Sequence, residues 1–243
     1  MSDLFPVNGA TFWIGTAAMS VPTSDVTLST FSAVTWTQVA DWQNMGAIGD
    51  AANEIATDLI SRGRTVVQKG TRRSPAMQNN FAVNSSDAGQ IAMIAAEAGN
   101  YNWPFKIVFN DSPVVATATV TVTIASPGVF SWTAHGLAIG DKVKFTTTGA
   151  LPTGITANTD YFVKTVPSAD TFTVSATSGG SVINTTGTQS GVHTGITVPT
   201  PTEKYFIGLV TQAQEQGGGA NTTRILATTV APNTNIVTVA PTP

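Results

Sequence analysis

The chain has 243 residues, of which 42% are apolar and 10% are charged, and its formal net charge is -3. This length is enough for one large core or two modest ones, and the low charge suits a β-rich subunit whose surface is largely covered by neighbours. The weak acidity gives no reason to expect tight nucleic-acid binding, and the lack of cysteine excludes disulfides, thiolate nucleophiles and cysteine metal sites.

The first residues do not show the pattern of a signal peptide. Met1 to Ala10 lack the basic segment and the apolar run of a signal peptide, and no run of about 18 apolar residues follows. We therefore expect a protein without a membrane anchor, made and kept in the cytoplasm until it joins a larger assembly.

The first 111 residues predict a β-rich domain with one helix. Strands are expected at residues 10–14, 33–42, 64–68 and 77–83, and again at 224–239. The helix is expected to begin at an N-cap, Ser85 or Ser86, and to end at Gly99-Asn100. Its apolar residues at helical spacing, which we expect to pack on a sheet, are Ile91, Ile94, Ala95 and Ala98.

The composition changes at Asp111-Ser112-Pro113 and changes back near Pro199-Thr200-Pro201. Alternating residues predict a strand around Phe105 to Phe109 and another around Tyr205 to Leu209. Without the segment between them, these strands would form an ordinary hairpin, whose tip tolerates insertions. We therefore predict a discontinuous first domain, residues 1–111 and 202–243, and an inserted domain, residues 112–201.

The inserted segment predicts a small all-β barrel or sandwich. Val120, Val122 and Ile124 alternate with threonines, and similar runs lie at residues 142–145, 161–164 and 171–175, separated by glycine-containing turns. After the second boundary, the proline- and threonine-rich tail from Ala231 to Pro243 is predicted to be a flexible or docking arm.

No catalytic or metal-binding constellation is recognisable. The two histidines, His135 and His193, lie close to glycines and are interpreted as neutral turn residues, since a metal site needs three or four convergent ligands. Neither a serine-hydrolase elbow nor a phosphate-binding loop is present. We expect a non-enzymatic protein with no cofactor and no metal.

Two groups of charged residues are the candidate contact residues. The acids Asp50, Glu54 and Asp58 recur at every fourth position, which would align them on a helix as an acid-base or metal array, but their surroundings favour a solvated face or loop. The bases are Arg62, Arg64, Lys69, Arg72 and Arg73. Two interpretations stay open: a solvated loop, or a subunit contact in which these bases meet the three acids of a neighbouring copy.

Seven segments, in this order, resemble the major tail tube proteins of long-tailed, non-contractile (siphovirus-like) bacteriophages. The resemblance covers roughly residues 5–111 and 202–230. The segments are Thr11-Phe12-Trp13-Ile14, Val34 to Val39, Gly46 to Asp58, Val66 to Gly70, Asp87 to Gln90, Phe105 to Asn110 and Tyr205 to Thr211.

This resemblance implies a fold and a function. The fold would be a β-sandwich or incomplete barrel with one flanking helix, and a long loop, here Gly46 to Arg73, would reach the next ring. Rings of six copies would stack into a virion tail tube through which DNA passes without specific binding. Its further partners would be the tape measure, tail terminator and distal tail proteins.

The inserted segment resembles a second module, common in phage structural proteins. The matching motifs are Phe130 with His135-Gly136-Leu137, Gly140-Asp141 with Val143 and Phe145, Thr148 to Pro152, Asp160 to Val163 and Asp170 to Phe172. The module is similar to the small β-barrel half-domain of ubiquitin-activating enzymes, which concerns the fold and implies no ubiquitin chemistry. We expect it to decorate the outside of the tube.

Two rival functions remain open. In the first, the inserted segment is a carbohydrate- or receptor-binding surface module in which Trp132, Tyr161 and Phe162 stack on sugar rings. In the second, the chain is another virion part, a capsid decoration or head-tail connector protein. Of the three, we expect the tail tube subunit.

Overall fold

The computed structural model describes residues 6–243 as a mainly β protein, which confirms the mainly β part of the predicted fold class. Residues 1–5, which begin the segment expected to lack a signal peptide, lie outside the described residues. The described chain divides into two compact units, residues 6–110 with Thr202–Val239, and Asp111–Pro201 with Ala240–Pro243.

The elements are labelled in chain order. In the first part of the chain they are β1 (Thr11–Gly15), β2 (Trp36–Val39), β3 (Trp42–Asn44), β4 (Ala51–Leu59), β5 (Arg64–Arg73), β6 (Met77–Ala82), α1 (Ala88–Glu97) and β7 (Trp103–Val108). The middle segment contains β8 (Thr117–Val122), β9 (Phe130–Ser131), β10 (Lys142–Thr147), β11 (Asp160–Ser168), β12 (Thr171–Ser175) and β13 (His193–Thr197). The last strands are β14 (Glu203–Gln216), β15 (Ile225–Pro232) and β16 (Val237–Val239).

One antiparallel sheet organises the first unit. Its strand order is β2-β1-β7-β14-β15-β6-β3, and β16 pairs with β14 beside this path. The central pair is β7 with β14, in which Val108 lies opposite Glu203 and Trp103 opposite Gly208. The predicted pairing of the strands before and after the middle segment is thus confirmed.

Side chains cover both faces of this sheet, because successive residues of a strand point to opposite sides. On β14, Phe206 and Val210 join the core that also contains Met93 of α1. Tyr205 and Ile207 point the other way and pack with Val26 and Phe31. Burial, and then the hydrogen bond to Glu203, raise the pKa of the Tyr205 phenol above its usual range.

Helix α1 is where predicted, but its N-cap is Asp87 rather than Ser85 or Ser86. The Asp87 carboxylate accepts hydrogen bonds from the backbone N–H of Gln90 at 2.8 Å and of Ala40 at 3.2 Å. It therefore caps the helix and ties it to the segment that follows β2.

The prediction that Ile91, Ile94, Ala95 and Ala98 form the buried face of α1 is wrong. The buried residues are Gly89, Gln90, Met93 and Ala96, whereas Ile91 is 53% and Ile94 44% exposed. A Cβ atom at Gly89 would lie 2.1 Å from the carbonyl oxygen of Gln38, so only glycine allows this approach. The Gln90 amide donates to the carbonyl oxygens of Ala40 and Ala82, and these bonds hold the Gln90 side of the helix inward.

The second unit contains a closed six-stranded barrel in the order β10-β11-β12-β9-β8-β13. Phe130 stacks in its core with Phe145 at 4.3 Å and Phe172 at 5.6 Å between ring centroids. The strand predicted at residues 171–175 is confirmed as β12. Strands β9 and β13 were not predicted, because β9 is two residues long and β13 is interrupted by Gly195.

The prediction of a flexible or docking arm from Ala231 to Pro243 is wrong. Strand β15 ends at Pro232, and β16 then pairs with β14. Between them the Asn235 side chain accepts a hydrogen bond from the Val26 N–H and donates one to its carbonyl oxygen. Thr242 pairs with Thr200, so the last four residues belong to the second unit.

The pairing of β7 with β14 predicts that the first unit folds without the barrel. Phe109 still donates its N–H to the carbonyl oxygen of Thr202 beyond the strands. A variant in which Asn-Gly replaces residues 112–201, and which ends at Val239, should retain a β-rich circular dichroism spectrum and one cooperative thermal transition. A broad, non-cooperative transition would contradict this independence.

Candidate functional site

The eight candidate contact residues lie in or beside one β-hairpin, formed by β4 and β5. The acids are on the β4 side, and the bases are on β5 and in the turn. The helix considered for Asp50, Glu54 and Asp58 is wrong, since Glu54 and Asp58 lie in strand β4. A spacing of four is even, so it aligns residues on one face of a strand as well as on a helix, and the pattern did not distinguish the two.

The root of this hairpin is tied to strand β6 on its incoming side and is closed by a hydrogen bond between its two ends. On the incoming side, the Gly46 N–H donates to the buried Asn79 side chain at 3.1 Å, and a Cβ atom at Gly46 would lie 2.4 Å from the Gln78 backbone. On the outgoing side, the buried Ser74 hydroxyl donates to the Gly49 carbonyl oxygen at 3.0 Å. The chain therefore enters and leaves the hairpin at fixed points.

Beyond its root the hairpin is solvent-exposed. All of β4 is exposed except Leu59, which is half-buried. Ile55 is 50% and Val67 55% exposed, and Ile60 in the turn is fully exposed. The tail-tube resemblance predicted a long loop here, and the observed element is instead a hairpin whose nine-residue strand spans roughly 30 Å.

The exposed apolar residues of the hairpin are candidate contact residues that the sequence did not single out. Ile55 stands among small and polar residues of β4, Val67 follows Val66 in β5, and Ile60 begins the turn that joins the two strands. The available signal was a strand-forming run in which neither set of alternating positions is consistently apolar. Such a run has no core face.

The register divides the hairpin side chains between two faces. Opposite Leu59 lies Arg64, opposite Thr57 lies Val66, and a bulge near Gly70 places Arg73 opposite Ala51. The first face, here called the apolar-basic face, therefore contains Ile55, Leu59, Val66, Arg64 and Arg73. The other, mixed-charge face contains Glu54, Asp58, Val67, Lys69 and Arg72.

None of the eight candidates forms an ion pair with another described residue; the ion pair that the structure shows joins Arg224 to Glu215. Glu54 lies opposite Lys69 in the register without reaching it. Asp58 accepts a hydrogen bond from the Thr65 hydroxyl at 2.6 Å. The guanidinium groups of the hairpin are therefore available to carboxylates of another molecule.

A polar cleft of about 540 Å³ lies beside the hairpin root. Asp50, Arg72 and Arg73 line it on the hairpin side, with Asp25 and the loop residues Asn233 to Asn235 on the other. The structure thus brings three of the eight candidates together at one place, while Arg62 lies at the far end of the hairpin, in the turn.

Both histidines make hydrogen bonds within the second unit. His135 Nδ1 accepts from the Leu137 N–H at 2.9 Å, so Nε2 carries the proton and faces the Ser168 carbonyl oxygen. The prediction that His193 is a turn residue is wrong. It is the first residue of β13, where it contacts Thr147 and Gln189. Both rings are buried, and both nitrogens of each ring are occupied.

The aromatic platform considered for carbohydrate stacking does not form. Trp132 is 5% and Tyr161 4% exposed, and both pack in the barrel core. A Cβ atom at Gly195 would lie 2.8 Å from the Trp132 ring, so the glycine makes room for the indole. Phe162 is half-buried on the outside, below the Lys142 ammonium group at 5.7 Å.

Residues 6–243 contain neither a metal-ligand cluster nor a membrane-spanning helix. There the His, Asp and Glu side chains form no group of three or more able to hold a metal ion. Nor does any helix in this range have the length and apolar character needed to cross a membrane. Comparison with models of known protein families found no match, and comparison with curated proteins found no significant one.

Reversing two charges at the hairpin root should affect association much more than folding. Arg72→Glu with Arg73→Glu should change the free energy of unfolding by about 1 kcal/mol or less, because exposed charges contribute little to stability. The same variant should lose most of its self-association, measured by analytical ultracentrifugation.

The matched control is Lys144→Glu with Lys164→Glu, the same change of net charge placed in the barrel. It should associate like the unaltered protein. If Arg72→Glu with Arg73→Glu lowers the thermal midpoint strongly while the folded fraction associates normally, the two arginines are structural.

Proposed function

We propose that this chain is a non-enzymatic structural subunit that polymerises with copies of itself into stacked rings, forming the tail tube of a long-tailed, non-contractile bacteriophage. The observation that carries the proposal is the β4–β5 hairpin. It is fastened at its root and exposed along its length, and it presents exposed apolar side chains together with charged side chains that form no ion pair with any of residues 6–243.

A hairpin of this kind is costly for a protein that remains alone. An isolated two-stranded hairpin is marginally stable in water, and its two outer edges present unpaired backbone groups. The fully exposed Ile60 adds apolar surface at the tip. Burial against another copy would remove both costs, because the partner would cover the apolar side chains and shield the edges.

The charge distribution favours another copy as the partner. Residues 50–73 contain three acids and five bases, hence a net charge of +2, while the whole chain carries -3, so the remainder carries -5. The hairpin of one copy is therefore attracted to the body of another. Such attraction raises the association rate and fixes the relative orientation.

The same distribution allows polymers. When the hairpin of one copy meets a different surface of the next without a reciprocal contact, the interface is heterologous, and heterologous contacts generate rings or open filaments. The short edge strands β2 and β3 leave the two ends of the main sheet unpaired within the described chain. These edges offer a second route by which neighbouring copies extend one another.

The net charge of -5 outside the hairpin also suits a conduit for DNA. Each phosphate contact made by a lysine or arginine adds affinity, and affinity would slow a passing duplex. If contacts between copies cover the five hairpin bases, the surfaces that remain are weakly acidic. A tube with such a wall would let the genome pass without binding it.

Purified protein at high concentration should form rings and tubes visible by negative-stain electron microscopy. Added salt should weaken the assembly if the hairpin charges drive it, because salt screens exposed charges. Material that elutes as a monomer at every concentration, with no rings or tubes even when a preformed tail tip is supplied as initiator, would overturn the proposal.

A further inference from the structure

The outer face of α1 is an exposed apolar surface of the first unit. It consists of Ala88, Ile91, Ile94, Ala95 and Ala98, all exposed. The spacing of these residues is that of a buried helix face. The structure buries the opposite side, so the apolar pattern points toward solvent.

The charged residues of α1 and its flanking segments are both acidic. Residues 74–105 contain two charged side chains, Asp87 at the helix start and Glu97 in its last turn. Glu97 is exposed, and neither carboxylate forms an ion pair with a described residue. The helix therefore presents a strip of isoleucine and alanine next to carboxylates that have no cationic partner.

The apolar-basic face of the hairpin has the matching character. It presents Ile55, Leu59 and Val66 with Arg64 and Arg73, and its register contains no carboxylate. The mixed-charge face matches less well, because Glu54 and Asp58 would approach the acids of the helix.

We propose that the apolar-basic face of the hairpin in one copy docks on the outer face of α1 in a second copy. This inference rests on the self-assembly proposed above and names the two surfaces that meet. Ile55 and Val66 would pack on Ile91 and Ile94, while the two arginines would reach the carboxylates beside them.

Charge excludes the symmetric alternatives. Two helix faces placed together would bring Glu97 and Asp87 of both copies into one contact, and residues 74–105 contain no base to compensate them. Two apolar-basic faces would likewise bring together four arginines. Like charges in one interface are unfavourable, so the hairpin-to-helix contact is the favoured pairing of these surfaces.

The chain contains no cysteine, so two introduced cysteines report this contact without background. The test variant is Ile55→Cys with Ile94→Cys, both at exposed positions. The control is Val67→Cys with Ile94→Cys, which places an equally exposed thiol on the mixed-charge face. Each variant is assembled under reducing conditions, checked by sedimentation, oxidised mildly and run on a non-reducing gel.

We expect the test variant to give a ladder of covalent oligomers, and the control to give at least about tenfold less, since a disulfide needs Cα atoms within about 7 Å. The single variants Ile55→Cys and Ile94→Cys should give no covalent dimer. The inference would be overturned, and the proposed function would still stand, by any of three results. These are assembly of the test variant without a ladder, a ladder of equal strength from the control, and covalent dimers of the single variant Ile94→Cys. Absence of any sedimenting assembly would overturn both.

Discussion

The antiparallel pairing of β7 with β14 is the constraint on which both units depend. It places Val108 beside Glu203, although most of the second unit lies between them in the chain. The ends of the middle segment therefore start close together, and the barrel closes around its own core of Phe130, Phe145 and Phe172. The same pairing forms the centre of the first unit's sheet, which positions α1 and the hairpin root.

The hairpin combines a fixed root with strands whose side chains are exposed, and few residues determine both features. Gly46 and Ser74 fasten its two ends, whereas Ile55, Ile60 and Val67 stay exposed. A protein that functioned alone would gain stability by burying or replacing these side chains. Their exposure, together with unpaired arginines, is consistent with stability that is completed by association.

Much of the fold could be predicted from the sequence. The two-residue period of a strand is visible in β7 and β12, and β14 begins as an apolar run, which suits a strand covered on both faces. The orientation of α1 could not, because Gly89 and Gln90, which set its inward face, are not recognisable as core residues by hydrophobicity. The hairpin acids were detected as a group, but a spacing of four fits a strand as well as a helix. The exposed Ile55 became meaningful only when the register showed Arg64 and Arg73 on the same face.

The central claim is that another copy of the chain covers the hairpin. Hydrogen exchange of the backbone amides tests it most directly, by comparing dilute monomer with sedimented assemblies. We expect slower exchange in peptides covering β4 and β5 on assembly, and unchanged exchange in the barrel strands β10 to β12. Equal exchange of the hairpin in both states, or protection confined to the barrel, would contradict the claim.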